Sequence, residues 1–385
     1  MVKSSVSSTH CWIELNKDAL IRNFRFFVSR IGYERFAPVL KSNAYGHGLS
    51  EFYEMLKEEQ PKWICVNYIF EGLKLRKIGF KGEILVVGPL LSHELTKAVE
   101  GDLDVTIGNE ELLSTWLSMP CKPTAHIKFN SGMCRQGFDL EECESLGEKL
   151  LPHRKNIAGV STHFANVEDV TDSEFAMKQL KLLISVRTSW EGMGFELLFH
   201  AASSASSMII AESQLDLCRV GISLYGLWPS SLTRLSYAKL YPKLAPLEPV
   251  LSWKTCITTL RELKGGEYVG YGCTFKASRA MKIAVISVGY YEGYPRIAGN
   301  DSRSFVLIRS KRCPLVGRIC MNMMMVDVSS LEDVEVGDEV TLVGKDGDEV
   351  ISADDLAAWS QTINYEVVAC LNPEIPRVIV ESNGG

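Results

Sequence analysis

Eight short apolar segments recur through roughly the first 240 residues of the chain, and segments of helical character lie between most of them. Short apolar runs bounded by turn residues are typical of buried parallel strands. Eight such strands alternating with helices is the count of a (β/α)8 barrel. The predicted strands span residues 37–41, 63–67, 84–87, 103–107, 125–129, 157–163, 196–200 and 217–220.

The pattern changes in the rest of the chain, over residues 243–385. Short alternating apolar runs with frequent glycines replace the long helical segments, as in an all-β domain. One late helix is predicted over 353–360, with Ser352 as its N-cap. The sequence therefore predicts an α/β chain, with a (β/α)8 barrel over residues 1–242 and a C-terminal mainly-β domain over 243–385.

Charge and composition exclude several classes of function. The formal net charge is −6 and no long basic run occurs, so nucleic acid is not expected as a partner. No run approaches the roughly 18 apolar residues of a membrane span, and the N-terminus lacks the apolar core of a signal peptide. The 11 cysteines are scattered without a CxxC pair. That usage fits reduced thiols in the cytoplasm better than disulfides or a zinc site, so no metal is expected.

Polar residues stand at or just after the ends of six predicted strands, where the active sites of barrels lie. Five of the six are basic, and their convergence at one barrel mouth would suit an anionic ligand. Lys41 is interpreted either as an amine nucleophile or base with a lowered pKa, or as a lysine that extends its ammonium group to solvent. A polar strand end can also simply contact water. The six residues are Lys41, Asn67, Lys128, His163, His200 and Arg219.

Small hydroxyl residues follow the seventh predicted strand, at residues 201–207, and open a helix. Free N–H groups at a helix start, together with a hydroxyl, make an anion site, and barrels often bind phosphate after strands seven and eight. Gly221, after the eighth strand, allows close approach of its backbone to such a ligand. The alternative is that the serines serve only as an N-cap.

The segment VLKSNAYGHG, residues 39–48, resembles the cofactor-lysine motif of the alanine racemase family, whose members use pyridoxal 5′-phosphate (PLP). Similar segments continue in the family's order over about residues 12–377. The resemblance implies that Lys41 holds the cofactor covalently. The implied contacts to the cofactor phosphate are the tyrosines Tyr45 and Tyr365, the Ser204 hydroxyl, and the N–H groups of Gly221 and Ile222.

A second barrel motif, HIKFNSGMCRQGF at residues 126–138, resembles the family segment whose arginine reaches the cofactor's phenolic oxygen and the substrate. Arg135 is the matching arginine. The matching lysine, Lys128, is carbamylated in many members, and here it would be either carbamylated or an unmodified strand-end lysine. The chain departs from the family pattern at residues 130–131, at Gln136 and, beside the phosphate segment, at Ser203.

Two further barrel residues match ring-binding positions of the family. Arg219 would face the pyridine nitrogen, and because a guanidinium keeps its proton, the ring would stay a weaker electron sink. A weaker sink favours reprotonation at Cα over side reactions. His163 would stack on the ring. The alternatives are that Arg219 pairs with Asp216 and that His163 is a core histidine satisfied by a carbonyl.

In the second domain, VGYGCTF places Tyr271 where the family has its catalytic tyrosine, contributed by the other subunit. A free tyrosine has a pKa of about 10, so cationic neighbours would have to stabilise its phenolate. An ordinary strand tyrosine between two glycines is the alternative. The other implied residues are Tyr290 at the entrance, Arg296 beside the tyrosine, and Met321, whose N–H binds the substrate carboxylate.

Two entrance positions weaken the match to alanine as the substrate. Glu292 stands where aspartate is usual, and Asn322 stands where alanine racemases mostly carry aspartate. Some broader-specificity racemases of the same superfamily carry asparagine at the second position. The substrate range is therefore open between alanine alone and a set that includes serine, lysine or arginine.

The resemblance implies an isomerase that interconverts L- and D-alanine and supplies D-alanine for cell-wall peptidoglycan. Two bases on opposite faces of the substrate are required, with Lys41 on the D side and Tyr271 on the L side. A cytoplasmic homodimer with shared active sites is expected. Two rivals are a PLP-binding homeostasis protein, which would lack the β-domain, and a PLP decarboxylase, which would carry an acidic residue in place of Arg219.

Overall fold

The computed structural model describes residues 10–167, 173–241 and 247–381. The chain divides into two compact units. The barrel unit comprises residues 19–42 and 53–248, and the β unit comprises residues up to 18, 43–52 and from 249 onward. The predicted domain boundary, between residues 242 and 243, lies outside the described residues.

In the described part of the chain, eight parallel strands form the barrel unit. Six of them pair in sequence order, and the first pairs with the eighth. A bridge between Val39 and Cys65 joins the first strand to the second, and the N–H of Arg219 donates to the carbonyl of Ala202 beyond the seventh, at 3.1 Å. The strands are Phe36–Pro38, Trp63–Val66, Glu83–Val86, Asp104–Ile107, Ala125–Lys128, Ile157–Ser161, Leu198–His200 and Cys218–Val220.

Helices separate these strands, as the alternation of patterns predicts. Four of the described strands are buried at every position, which is what helices covering the outer face require. The α-helices are Lys17–Ile31, Leu49–Leu56, Ile69–Lys77, Leu95–Glu100, Glu110–Ser118, Cys143–Leu150, Glu174–Gly192, Ser204–Ile209 and Ser231–Leu240. Short 3-10 turns are Tyr33–Arg35, Lys57–Glu59, Ser92–Glu94, Leu140–Glu142, Leu151–Asn156, Ala211–Ser213 and Ile222–Tyr225.

The first strand ends before Lys41, although the sequence predicts a strand over residues 37–41. Lys41–Tyr45 instead forms one tight helical turn in which four successive non-glycine residues, 42–45, have φ between 49° and 57°. L-residues rarely adopt this left-handed conformation, which costs about 1–2 kcal/mol per residue. The turn therefore needs contacts from outside itself to persist.

A nine-stranded sheet forms most of the β unit. Its longest strand, Leu251–Leu263, pairs with the chain's first strand, Cys11–Asn16, which in turn pairs in parallel with Arg377–Val380. The other strands of this sheet are Met281–Ile286, Phe305–Ile308, Lys311–Pro314, Met324–Asp327, Glu339–Asp346 and Glu349–Ile351. Tyr268–Val269 and Phe275–Lys276 form a separate two-stranded ribbon.

Among the described residues from 249 onward, two helices and two 3-10 turns accompany the strands of the β unit. Ser352 caps the helix Ala353–Trp359 through a hydrogen bond from Asp355 N–H to its hydroxyl, so the predicted cap is confirmed. The second helix is Asn364–Ala369, and the 3-10 turns are Tyr271–Cys273 and Arg296–Asn300. No helix in the described part of the chain combines the length and apolar character needed to cross a bilayer.

Candidate active site

A cluster of basic side chains lies at the strand ends of the barrel unit, as predicted from the sequence. Lys128 is 8% exposed, and burial together with the charges of Arg219, Arg135 and Lys41 lowers its pKa to about 7. Burial and the same neighbouring cations lower the pKa of His163 to about 3. The same cations, Arg219, Arg135 and Lys41, act on both Lys128 and His163, so the barrel mouth is electropositive and suits an anion.

Lys41 is half-buried within this cluster. Burial is the main cause that lowers its pKa, and the charges of Arg135 and Arg219 act in the same direction, whereas Glu71 acts against them. A lowered pKa raises the fraction of neutral amine, the form that acts as a nucleophile or base. The geometry therefore favours the reactive interpretation of Lys41 over a solvated ammonium group.

Arg219 is fixed by several acceptors of the barrel unit. Its Nη2 donates to the carbonyl oxygens of Thr162 and Ala201, at 2.9 and 3.2 Å, and its Nη1 donates to Nδ1 of His200. Asp216, the alternative partner considered from the sequence, instead accepts from Arg187 at 3.2 Å. These contacts hold the guanidinium in one orientation.

The contact with Arg219 determines the protonation of a row of buried side chains. A guanidinium can only donate, so Nδ1 of His200 accepts and its Nε2 carries the proton. That proton is donated to Nδ1 of His126, 2.9 Å away, which leaves the His126 proton on Nε2, 3.4 Å from Oδ2 of Asp104. Burial and the Arg219 charge keep the pKa of His200 well below its ordinary value. The row therefore leads from Arg219 to a carboxylate in the barrel.

The predicted phosphate segment has donors arranged around one hydroxyl. The Ser204 hydroxyl accepts from the N–H groups of Gly221, at 3.0 Å, and Ser223, at 3.4 Å. The Ser223 hydroxyl is buried and has no hydrogen-bond partner among the described residues. The backbone N–H groups that meet at Ser204 and the unpartnered buried hydroxyl of Ser223 fit a phosphate group.

Gln136 replaces the family's apolar residue and contacts the buried lysine. Its Oε1 accepts from Lys128 Nζ at 3.0 Å. Both residues line a narrow cavity, together with Asn130, Arg135 and His163. Asn130 Oδ1 accepts from Cys134 N–H at 2.9 Å, which folds the loop that carries Arg135. The two departures from the family pattern thus have partners in this chain.

The two predicted phosphate tyrosines lie together in the β unit. The ring centroids of Tyr45 and Tyr365 are 6.3 Å apart. Gly46, which follows Tyr45, has φ of 79°, and a Cβ there would lie 1.8 Å from the carbonyl oxygen of Val368. Arg377 donates to the Gly46 carbonyl at 2.8 Å. Only glycine fits at this close approach, which accounts for the first glycine of the YGHG motif.

Tyr271 is 73% exposed within a single chain. It stands between Gly270 and Gly272, whose φ values are 73° and 72°. A Cβ at Gly272 would lie 2.8 Å from the guanidinium of Arg318. The glycines thus turn the backbone sharply and project the phenol outward. Arg296, predicted to lie beside the tyrosine, is also exposed and begins its own 3-10 turn.

The entrance segment of the β unit is closed by hydrogen bonds around Glu292. Its Oε2 accepts from Gly289 N–H at 2.8 Å, and its Oε1 accepts from the side-chain amide of Asn322 at 2.7 Å. Met321 accepts from Tyr291 N–H at 2.9 Å through its carbonyl. Glutamate at 292 and asparagine at 322 thus form one hydrogen-bonded pair beside Met321.

Two family models match most of the chain. "Alanine racemase, N-terminal domain" matches residues 15–229 and "Alanine racemase, C-terminal domain" matches residues 250–379. The chain belongs to the alanine racemase family. An alanine racemase of Leptospira interrogans is 37% identical over 98% of both chains, and one of Carboxydothermus hydrogenoformans is 36% identical over 96% of this chain and 99% of its own.

Solved structures of the alanine racemase family have the same fold. An alanine racemase of Clostridium difficile 630 aligns with a TM-score of 0.87 and 27% identity, over 98% of this chain and 97% of its own. The alanine racemase of Bacillus anthracis with bound L-Ala-P aligns with a TM-score of 0.86 and 29% identity, over 98% and 96%. The predicted α/β fold class, a barrel followed by a β-domain, is confirmed.

The barrel unit brings together many of the family site residues predicted from the sequence. Ser204 accepts a hydrogen bond from Gly221. The basic residues close enough to affect one another's pKa or to share its causes are Lys41, Lys128, Arg135, His163 and Arg219. Sequence reasoning missed Glu71, His126 and Asp104. The signal for Glu71 was available, because a glutamate three residues after a helix start is a capping pattern. The individual roles of all these residues stay predictions.

Proposed function

We propose that this protein is a PLP-dependent alanine racemase that interconverts L- and D-alanine. One observation carries the proposal: Lys41 is a half-buried amine whose charged form is disfavoured by burial and by the nearby Arg219. Neutral acceptors hold the Arg219 guanidinium in place. Membership of the family supports the same activity. The rival activities are not favoured, because the β unit is present and no acidic side chain takes the place of Arg219.

The residues present fit the cofactor's chemistry. Lys41 would hold its aldehyde carbon, Tyr45, Tyr365, Ser204, Gly221 and Ile222 would hold its phosphate, and Arg135, His163 and Arg219 would hold its ring. When bound, the group withdraws electrons from the substrate's Cα and so acidifies the proton there. Arg219 keeps its own proton and its partner His200 stays neutral, so the ring nitrogen receives no proton from this side.

Proton transfer falls to two side chains. For the D-enantiomer, the neutral amine of Lys41 removes the Cα proton and the Tyr271 phenol donates a proton to the opposite face; for the L-enantiomer, the Tyr271 phenolate removes the proton and the Lys41 ammonium donates one. Because racemisation inverts Cα, the proton that one base removes is replaced by a proton from the other base. The neighbouring cations that disfavour the charged amine keep Lys41 ready to accept.

A homodimer completes the proposed site. Tyr271, Tyr290 and Met321 are 73%, 43% and 55% exposed, and a phenolate base works poorly in open water. A second copy of the chain would cover these side chains and supply the cations that Tyr271 needs. In this arrangement the Met321 N–H and Arg135 bind the substrate carboxylate, and Tyr290 and Arg296 line the entrance. The protein would act in the cytoplasm and supply D-alanine for peptidoglycan.

Chiral chromatography of products tests the activity. Holo-protein is incubated with a panel of L-amino acids, and D-alanine from L-alanine alone is the expected outcome. Turnover of serine, lysine or arginine would move the assignment to a broader racemase, and release of carbon dioxide would indicate a decarboxylase. Borohydride reduction followed by peptide mapping should place the pyridoxyl group on Lys41. Its absence there would overturn the proposal.

A further inference from the structure

Glu71 is a buried carboxylate that contacts two neighbouring strand ends of the barrel unit. It is 3% exposed and lies in the first turn of the helix Ile69–Lys77. Its Oε2 accepts from the N–H groups of Asn67 and Tyr68, at 2.8 and 3.2 Å, which caps that helix. Its Oε1 accepts from the N–H of Ser42 at 2.6 Å. Three N–H donors suit an ionised carboxylate, which can only accept.

The Ser42 contact lies at the start of the left-handed turn. Ser42 follows Lys41 directly and is the first of the four residues with left-handed φ. One residue earlier, the N–H of Leu40 donates to the carbonyl of Cys65 at 2.8 Å. The backbone on both sides of Lys41 is thus tied to the second strand and to the first turn of the helix that follows it. Without the Glu71 bond, the left-handed turn would lose the partner that holds its first peptide group.

Glu71 also differs in charge from the other ionisable groups that act on Lys41. Those other groups are Arg135, Arg219 and Cys65. Both arginines disfavour the lysine's charge, and burial raises the pKa of the Cys65 thiol to about 12, so that it stays neutral. Glu71 therefore supplies the negative charge in this set, and it opposes the lowering of the Lys41 pKa.

We propose that Glu71 is a positioning residue for Lys41: its carboxylate accepts from the N–H of Ser42, fixes the turn from which the amine projects, and places a negative charge beside the residue that carries the amine. The assignment of Lys41 as the reacting amine rests on the proposed function. The position and the charge of that amine rest on Glu71 whether or not the protein is a racemase.

Competitive labelling of Lys41 tests the charge effect without catalysis. The full chain, freed of aldehyde cofactor, is labelled with trace acetic anhydride across a pH series, and Lys41 acetylation is measured by peptide mass spectrometry. Glu71→Gln keeps the side chain's length and removes its charge, so the labelling curve should shift to lower pH, with labelling several-fold faster at neutral pH. Glu94→Gln is the control, because Glu94 caps its own 3-10 turn through Leu91 N–H in the same way. A Glu71→Gln curve that coincides with wild type overturns the proposal.

Glu71→Asp tests the contact with Ser42 and decides the matter if Glu71→Gln does not fold. Aspartate keeps the charge but is too short to maintain all three hydrogen bonds. The labelling curve should stay near that of wild type, while the rate of pyridoxal phosphate attachment to Lys41, followed by absorbance, should fall several-fold. An unchanged attachment rate contradicts the positioning role. If the chain shows no racemase activity but the labelling shift occurs, the proposed function fails and the inference about Glu71 stands.

Discussion

Lys128→Met should stabilise the cofactor-free protein at neutral pH. The lysine is 8% exposed, and its pKa is lowered from 10.5 to about 7 by burial and by three neighbouring cations. Lowering the pKa by this amount destabilises the folded state by about 5 kcal/mol at pH below 7. The methionine loses the hydrogen bond to Gln136, which is worth about 1 kcal/mol. We expect a net gain of about 4 kcal/mol.

The gain should depend on pH in a defined direction. Because the folded-state pKa of Lys128 is lowered, the unfolded chain binds more protons than the folded chain between pH 7 and 10.5. The wild type's free energy of unfolding therefore rises with pH across this window, whereas Lys128→Met lacks that rise. The difference between the two proteins is largest at pH 7 or below and shrinks toward pH 10.5. Urea unfolding at pH 7 and 9.5, in buffers free of carbon dioxide, measures it.

An exposed lysine provides the control. Lys97→Met, on the helix Leu95–Glu100, should change the free energy of unfolding by less than about 0.5 kcal/mol at either pH. If Lys128→Met destabilises the protein at pH 7, or if its effect is the same at both pH values, then burial and the cationic cluster do not lower the Lys128 pKa.

Three further predictions concern the proposed catalytic cycle. Tyr271→Phe should slow exchange of the Cα hydrogen of L-alanine with deuterium oxide far more than exchange in D-alanine, and equal losses count against the two-base assignment. The Asn322 side-chain amide now donates to Glu292 at 2.7 Å, so Asn322→Asp would place two carboxylates side by side. The KM measured in steady-state kinetics should therefore rise. It should fall again in the double variant that also carries Glu292→Gln. Ser204→Ala removes the hydroxyl that accepts from Gly221 N–H, so cofactor affinity in an absorbance titration should weaken by about five-fold, from the loss of about 1 kcal/mol.

The parts of the site that the sequence predicts are those fixed by strand order. Lys128 and Arg219 stand at the ends of apolar runs, and parallel strands bring their carboxyl ends to one side of a barrel. Their convergence follows from the alternation of strands and helices alone. The Ser352 cap is equally local, because the capping hydroxyl and the Asp355 N–H that donates to it are three residues apart.

The parts that the sequence does not predict depend on distant partners. Residues 42–45 contain no glycine, so local preference argues against the left-handed turn that they form. The strand Cys11–Asn16 becomes a strand by pairing with Leu251–Leu263, far along the chain. Asp104 and His126 look like ordinary strand residues until the fold sets them in line with Arg219. Each case is a tertiary contact that overrides a local signal.

The cationic cluster links folding to binding in this protein. Burial lowers the pKa values of Lys41, Lys128, His163 and Arg219, and the charges of Arg135 and Arg219 lower those of Lys41, Lys128 and His163 further, so the folded barrel carries an electrostatic cost before any ligand binds. An anionic cofactor removes part of that cost, and a ligand that binds only the folded state stabilises it by mass action. Neutralising the cluster with more carboxylates would stabilise the empty protein but would weaken the field that attracts the cofactor. Glu71 is a buried carboxylate that holds the backbone of the turn beside Lys41 by accepting from the Ser42 N–H. It adds one negative charge, which leaves the mouth of the barrel positive.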